Sequence, residues 1–276
     1  MSDNPVNSLS DGAHREPALF VEAGGRRLEY RWFEPAHVRG GMPVLVFLHE
    51  GLGSVALWKT FPADVAAATG CPALVYSRHG YGKSETLTQP RAVDYMHREA
   101  LDVLPDVLNQ LGIHKPVLIG HSDGASIALI HAGAGRQALR GLVVMAPHVF
   151  VEDITIRSIE AAKHAFHTSD LPARLGRYHD DVQSTFRGWN DIWLDPDFRR
   201  WNIEEFLPGI RCPVLALQGE DDEYGSRAQI DAIGGKVSAP VRSLLLPHCA
   251  HSPQVDQKSA TLQAIREFVA SLSAVL

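Results

Sequence analysis

The sequence predicts an α/β fold: a mostly parallel central sheet with helices on both faces and an inserted helical cap. Three observations carry the prediction. Short continuous apolar runs recur at Pro43–Leu48, Pro72–Tyr76, Pro116–Gly120, Gly141–Ala146 and Pro213–Leu217, as strands covered on both faces require, and a further strand is read at Val241–Leu246. Helical stretches separate them, which favours parallel pairing through right-handed crossovers. The alternation then stops over residues 148–209, which carry helical patterns, no β-like run and three of the five tryptophans, Trp189, Trp193 and Trp201.

Taken in order, residues 1–17 are polar and are expected to form a flexible tail. Leu19–Glu22 and Arg27–Phe33 alternate around Gly24-Gly25, as in an antiparallel hairpin. The strand at Pro43–Leu48 leads through His49-Glu50-Gly51-Leu52-Gly53-Ser54 into a helical stretch over Val55–Thr69. Pro72–Tyr76 leads into the glycine-punctuated loop Ser77–Ser84, and Val93–Leu111 is amphipathic. After the Pro116–Gly120 strand a small-residue helix starts at Ala125, and Gly141–Ala146 follows. Within the cap, helical patterns cover Ile154–Phe166, Leu171–Phe186 and Asp197–Phe206. The last helix is expected over Ser252–Leu272, with Ser252 as N-cap and Pro253 at the first position. The core is therefore assigned to residues 18–147 and 210–276, and the cap to 148–209.

Composition narrows the function classes. With 45% hydrophobic and 21% charged residues this is a soluble globular chain. A net charge of −6 without a basic run argues against nucleic acid, and the apolar runs are too short to span a bilayer. The three cysteines, Cys71, Cys212 and Cys249, are widely spaced and without zinc spacing, and are read as buried thiols. A reduced cytoplasmic setting is expected, with no signal peptide.

The chemistry concentrates at Gly120-His121-Ser122-Asp123-Gly124, a G-x-S-x-G turn between a strand and a helix. Such a turn projects a serine hydroxyl over a helix N-terminus, where developing negative charge is favoured. Serine needs a base at neutral pH, usually a histidine held by a carboxylate. Four acids, Glu220-Asp221-Asp222-Glu223, follow one later strand, and His248 and His251 follow the last one. Loops at the carboxyl edge of a parallel sheet share one crevice.

With these stations in this order, residues 18–272 resemble the α/β-hydrolase family. The matching segments are His49–Gly53, Gly80-Tyr-Gly-Lys-Ser84, Gly120–Gly124 and the Asp and His loops. The resemblance implies a triad of Ser122, Asp222 and His251, with Asp221 and His248 as alternatives. It also implies an oxyanion hole of two backbone N–H groups, one from Asp123 and one from Gly51 or Leu52. Family members usually carry His-Gly where this chain has His49-Glu50, so the loop departs from the pattern. A structural or solvated carboxylate is the plainer reading of Glu50, and a substrate role the sharper one.

The cap aromatics and histidines, among them His148, Trp189, Trp193, Trp201, Tyr178, His164 and His167, are candidates for a pocket with aromatic walls. Packing of the cap helices is the plainer reading of each one. Glu50, His148, Trp189 and Trp193 are the residues selected as lining the pocket. The implied activity is cofactor-independent cleavage of small carboxylic esters, lactones or thioesters. The alternatives are carbon–carbon bond hydrolysis of aromatic ring-cleavage products and non-catalytic ligand binding. The expected partner is a small-molecule acyl substrate, with no nucleic acid, no membrane and no metal; a homodimer is allowed.

Overall fold

A computed structural model of the protein describes residues 18–37 and 41–273, and the tail expected over residues 1–17 lies outside them. Eight strands form one sheet in the order β1-β2-β4-β3-β5-β6-β7-β8. They are β1 (Leu19–Ala23), β2 (Arg26–Phe33), β3 (Leu45–Leu48), β4 (Ala73–Tyr76), β5 (Val117–His121), β6 (Gly141–Met145), β7 (Val214–Gly219) and β8 (Val241–Leu246). The hairpin β1–β2 joins β4 antiparallel, and all pairings from β4 through β8 are parallel. The parallel strands β3 to β7 are buried on both faces, which is why they read as unbroken apolar runs rather than alternating ones.

Side-chain alternation sends the central strands into two cores. Val46, Leu48 and Leu118 face one cluster, built with α2 (Tyr95–Arg98), α3 (Leu104–Gln110), α4 (Asp123–Ala134) and α8 (Ala228–Lys236). Leu45, Phe47, Val117 and Ile119 face the other, under α1 (Phe61–Thr69) and α10 (Lys258–Ser273). Helix α4 is buried on nearly every side, from Asp123 to Ala132. It carries no polar stripe because it has no solvent face.

Several element ends differ from the sequence expectation. The helix expected from Val55 begins at Phe61, because Pro62 occupies its first turn, where a missing N–H costs nothing. The Val93–Leu111 pattern is one helical path, but a π-helical turn (Glu99–Val103) joins α2 to α3. The stretch expected as one helix over Leu171–Phe186 divides into α6 (Leu171–Leu175) and α7 (Val182–Trp193). Asp181 supplies the division by accepting the Ser184 N–H at 2.9 Å as an N-cap. Asp197–Phe206 becomes two 3-10 turns, Phe198–Arg200 and Glu204–Gly209, the second containing Pro208. The final helix is interrupted at Gln257 between α9 (Pro253–Asp256) and α10. Helix α8 had no sequence-level signal, since Gly234 and Gly235 dilute its pattern.

Between β6 and β7 the chain forms α5 (Asp153–Thr168), α6, α7 and the two 3-10 turns. Its aromatic residues pack on one another: Trp193 lies edge-on to Phe198 at 5.0 Å, and Phe198 stacks on Trp201 at 5.4 Å. All three cysteines are free and buried. Among the described residues no helix is long and apolar enough to cross a membrane.

Candidate active site

The turn from β5 into α4 leaves no room for a side chain at Gly120 or Gly124, two residues either side of Ser122. A Cβ on Gly124 would lie 2.1 Å from the Leu48 carbonyl oxygen, and one on Gly120 would lie 2.4 Å from the Gly124 oxygen. Ser122 itself is held at φ 52°, ψ −118°, a conformation that costs a non-glycine residue on the order of 1–3 kcal/mol. Backbone bonds hold it there: Ser122 N–H donates to Met145 O at 2.9 Å, and Ser122 O accepts from Ala125 N–H at 2.8 Å. Gly124→Ala is therefore expected to destabilise the protein by about 3 kcal/mol or more. A urea melt of the variant within error of wild type would show that the turn can open without cost.

Three strand-end loops meet at the serine. Nε2 of His251 lies 2.9 Å from Ser122 Oγ, and its Nδ1 lies 2.8 Å from Asp222 Oδ1. A carboxylate can only accept, so Nδ1 carries the proton and Nε2 is free to accept from the serine hydroxyl. Oδ1 of Asp222 also accepts from the N–H groups of Tyr224 at 2.8 Å and Gly225 at 3.2 Å, and Oδ2 accepts from Gln218 Nε2 at 2.5 Å. Burial pushes the Asp222 carboxyl up, but the hydrogen bond and charge of His251 and the bond from the Tyr224 N–H outweigh it, and the net direction is down. The alternatives Asp221 and His248 are both exposed on the same loops.

Asp123 faces the other way. Its buried carboxylate accepts from Tyr95 Oη at 2.7 Å and Trp193 Nε1 at 3.2 Å, and lies 3.7 Å from Arg78 Nη2. The side chain thus ties the start of α4 to α2, to the loop after β4 and to α7. Its backbone N–H remains at the helix N-terminus beside Ser122. Arg78 also braces the opposite loop, donating to Glu50 O at 2.9 Å and His49 O at 3.3 Å. His49 Nε2 accepts the Arg78 N–H at 3.0 Å, so its Nδ1 carries the proton and donates to Glu50 O at 2.7 Å. Burial and the Arg78 charge hold His49 well below the ordinary histidine range, which keeps that tautomer neutral.

A cavity of about 120 Å³ opens onto Ser122 and is lined by Glu50, Gly51, Leu52, Asp123, Tyr224 and His251, and by His148, Thr155, Ile159, Trp189 and Trp193 from the segment between β6 and β7. All the residues predicted to line the pocket therefore border one space, and Gly51 and Asp123 flank the serine within it. His148 is buried with its ring 5.7 Å from that of His251, and burial pushes its imidazole down to about 3, so it is neutral at working pH. His164 and His167 are exposed, and Trp201 is spent on packing. Sequence reasoning missed Thr155, Ile159, Tyr224 and Gln218. Only Gln218 left a signal, a polar residue inside an otherwise apolar strand end.

A model of the alpha/beta hydrolase family matches residues 45–264. The chain belongs to this family. Its relatives include a proline iminopeptidase from Saccharolobus solfataricus, 25% identical over 91% of this chain and 93% of that one. A 2-succinyl-6-hydroxy-2,4-cyclohexadiene-1-carboxylate synthase from Klebsiella pneumoniae is 33% identical over 74% of this chain and 73% of its own length. Among solved structures, VinJ superposes with a TM-score of 0.73 at 24% identity, over 93% of this chain and 99% of that one. At that identity the likeness speaks to the fold alone, and within the family one fold serves many chemistries.

Proposed function

We propose that this hydrolase cleaves small carboxylic esters, lactones or thioesters through Ser122, His251 and Asp222. The observation that carries the reading is the unbroken hydrogen-bond chain from Ser122 Oγ through both nitrogens of His251 to Asp222, opening onto the aromatic-walled cavity. Ser122 attacks the acyl carbon while His251 Nε2 takes its proton. The oxyanion is assigned to the backbone N–H groups of Asp123 and of Gly51 or Leu52, residues that line the cavity beside Ser122, and one such donor contributes about 3 kcal/mol. His251 then protonates the leaving group, and water repeats the sequence in reverse to free the enzyme. Residues 148–209 serve as the cap, with Trp189 and Trp193 closing the acyl pocket and Asp123 fastening Trp193 to the core.

Pocket size sets the acyl group. A cavity of about 120 Å³ is close to the ~150 Å³ engineered space that takes one benzene molecule. Turnover of p-nitrophenyl esters by purified protein without added metal is expected to peak at short acyl chains, acetyl to butyryl, and fall for longer ones. A maximum at long chains would mean that the acyl group lies elsewhere.

The iminopeptidase relative makes aminoacyl substrates the comparison. Two acids line the cavity, but the Asp123 carboxylate is taken up by Tyr95, Trp193 and Arg78 and the Glu50 carboxylate already faces His121, which favours neutral acyl groups. L-proline p-nitroanilide and dienolic ring-cleavage products belong in the same assay. Faster turnover of either than of the esters would replace the ester reading.

A further inference from the structure

Behind the triad lies a carboxylate–imidazole pair that takes no part in the steps above. Glu50 Oε2, on the loop after β3, is 3.5 Å from Nδ1 of His121, the buried residue before the nucleophile. His121 Nε2 lies 2.7 Å from the backbone oxygen of His251. A carbonyl only accepts, so Nε2 carries a proton in either charge state and Nδ1 is the atom that titrates. Nδ1 meets two groups, the Glu50 carboxylate and the Gln254 side-chain amide at 3.1 Å. In the neutral ring Nδ1 accepts from the Gln254 NH₂. In the charged ring it donates to Glu50, and the Gln254 amide can turn its buried, unpartnered Oε1 toward it.

The loop is shaped around this carboxylate. A Cβ on Gly53 would lie 2.4 Å from Glu50 Oε2, so the glycine two residues beyond Gly51 makes its space. Further titratable groups face the pair from each neighbouring loop: His251 with its ring 5.3 Å from that of His121, Asp222, His148, Arg78 and His179. Burial disfavours the charge on both partners, yet their mutual contact prevails: the His121 proton is held more tightly than usual and the Glu50 carboxyl less tightly.

We propose that Glu50 and His121 are positioning residues, a second acid–histidine pair whose charged form clamps the Gly51 loop to the backbone of His251 and whose deprotonation limits activity at alkaline pH. The sign follows from the direction of the His121 shift. The charged pair persists to higher pH than an ordinary histidine would allow and is lost as pH rises through the His121 titration. Glu50 then carries its negative charge without the His121 proton, beside the place where the oxyanion develops, which opposes the transition state and leaves substrate binding largely alone. The kinetic half of this inference rests on the ester-hydrolase reading; the protonation half does not.

Two measurements test it. Wild-type kcat on p-nitrophenyl acetate is expected to fall on an alkaline limb. Glu50→Gln should lose about 10-fold in kcat at neutral pH, less than the ~10²–10³ of losing an oxyanion donor outright, with KM little changed and no alkaline limb. Glu50→Asp should restore part of both. Independently, side-chain ¹⁵N spectra of Ser122→Ala should show both ring nitrogens of His121 protonated at neutral pH, with Nδ1 losing its proton over the range of the kinetic limb. An Nδ1 unprotonated at neutral pH would overturn the proposal, as would the same alkaline limb in Glu50→Gln and wild type. The spectra decide the pair even if Glu50→Gln does not fold. They also decide it if the protein cleaves no ester, so failure of the activity assignment is told apart from failure of the pair.

Discussion

Ser122→Ala is expected to abolish turnover of every ester in the series while leaving the fold intact. The change removes one oxygen, and that oxygen's partner is His251 Nε2 at 2.9 Å. The strained turn is held by backbone bonds from Ser122 to Met145 and Ala125, which alanine keeps. Alanine also carries the same Cβ, so the positive φ costs it no more than it costs serine. A loss on the order of 10⁶-fold in kcat is expected, with residual catalysis from the oxyanion donors and binding alone. The melting temperature should stay within a few degrees, because no apolar contact is lost. An alanine variant that still released a burst of p-nitrophenol would place the nucleophile elsewhere, and a large drop in melting temperature would make the hydroxyl a structural group.

Asp222→Asn is the second large effect. Oδ1 accepts from His251 Nδ1 and from two backbone N–H groups, so an amide nitrogen cannot replace it there without facing three donors. The asparagine must present its oxygen to His251 and its NH₂ to Gln218, whose own amide nitrogen now fills that place at 2.5 Å. Gln218 then has to turn, giving up its 3.0 Å bond to Gly225 O, and the imidazolium formed during attack loses the charge that stabilises it. The expected cost in kcat is about 10⁴-fold, the size that replacing a triad aspartate by asparagine produces, with KM nearly unchanged. Asp221→Asn, at an exposed neighbour, should remain close to wild type. The reverse pattern, a crippled Asp221→Asn with a mild Asp222→Asn, would mean that the acid has been misassigned.

Much of this architecture is legible in the residue order because its causes are local. A strand buried on both faces must be a short apolar run, so β3 to β7 can be read directly from composition. The Gly120–Gly124 turn is legible because two close backbone approaches exclude Cβ atoms. Helix ends were less legible wherever one cap or proline decides: Asp181 divides α6 from α7, and Pro62 delays α1.

The sequence by itself determined the fold class, the strand-to-helix turn carrying Ser122, and the order of the serine, acid and histidine loops, since period, glycine placement and strand-end position are properties of the chain read a few residues at a time. Only the tertiary structure decided which acid faces His251, that the Asp123 carboxylate is spent on Tyr95, Trp193 and Arg78, and that Glu50 faces His121. Asp221 and Asp222 are the same chemical group one position apart, and Glu50 lies 71 positions from His121. Between such groups, partner choice depends on where separate loops arrive at one sheet edge, a long-range geometry that no local pattern encodes.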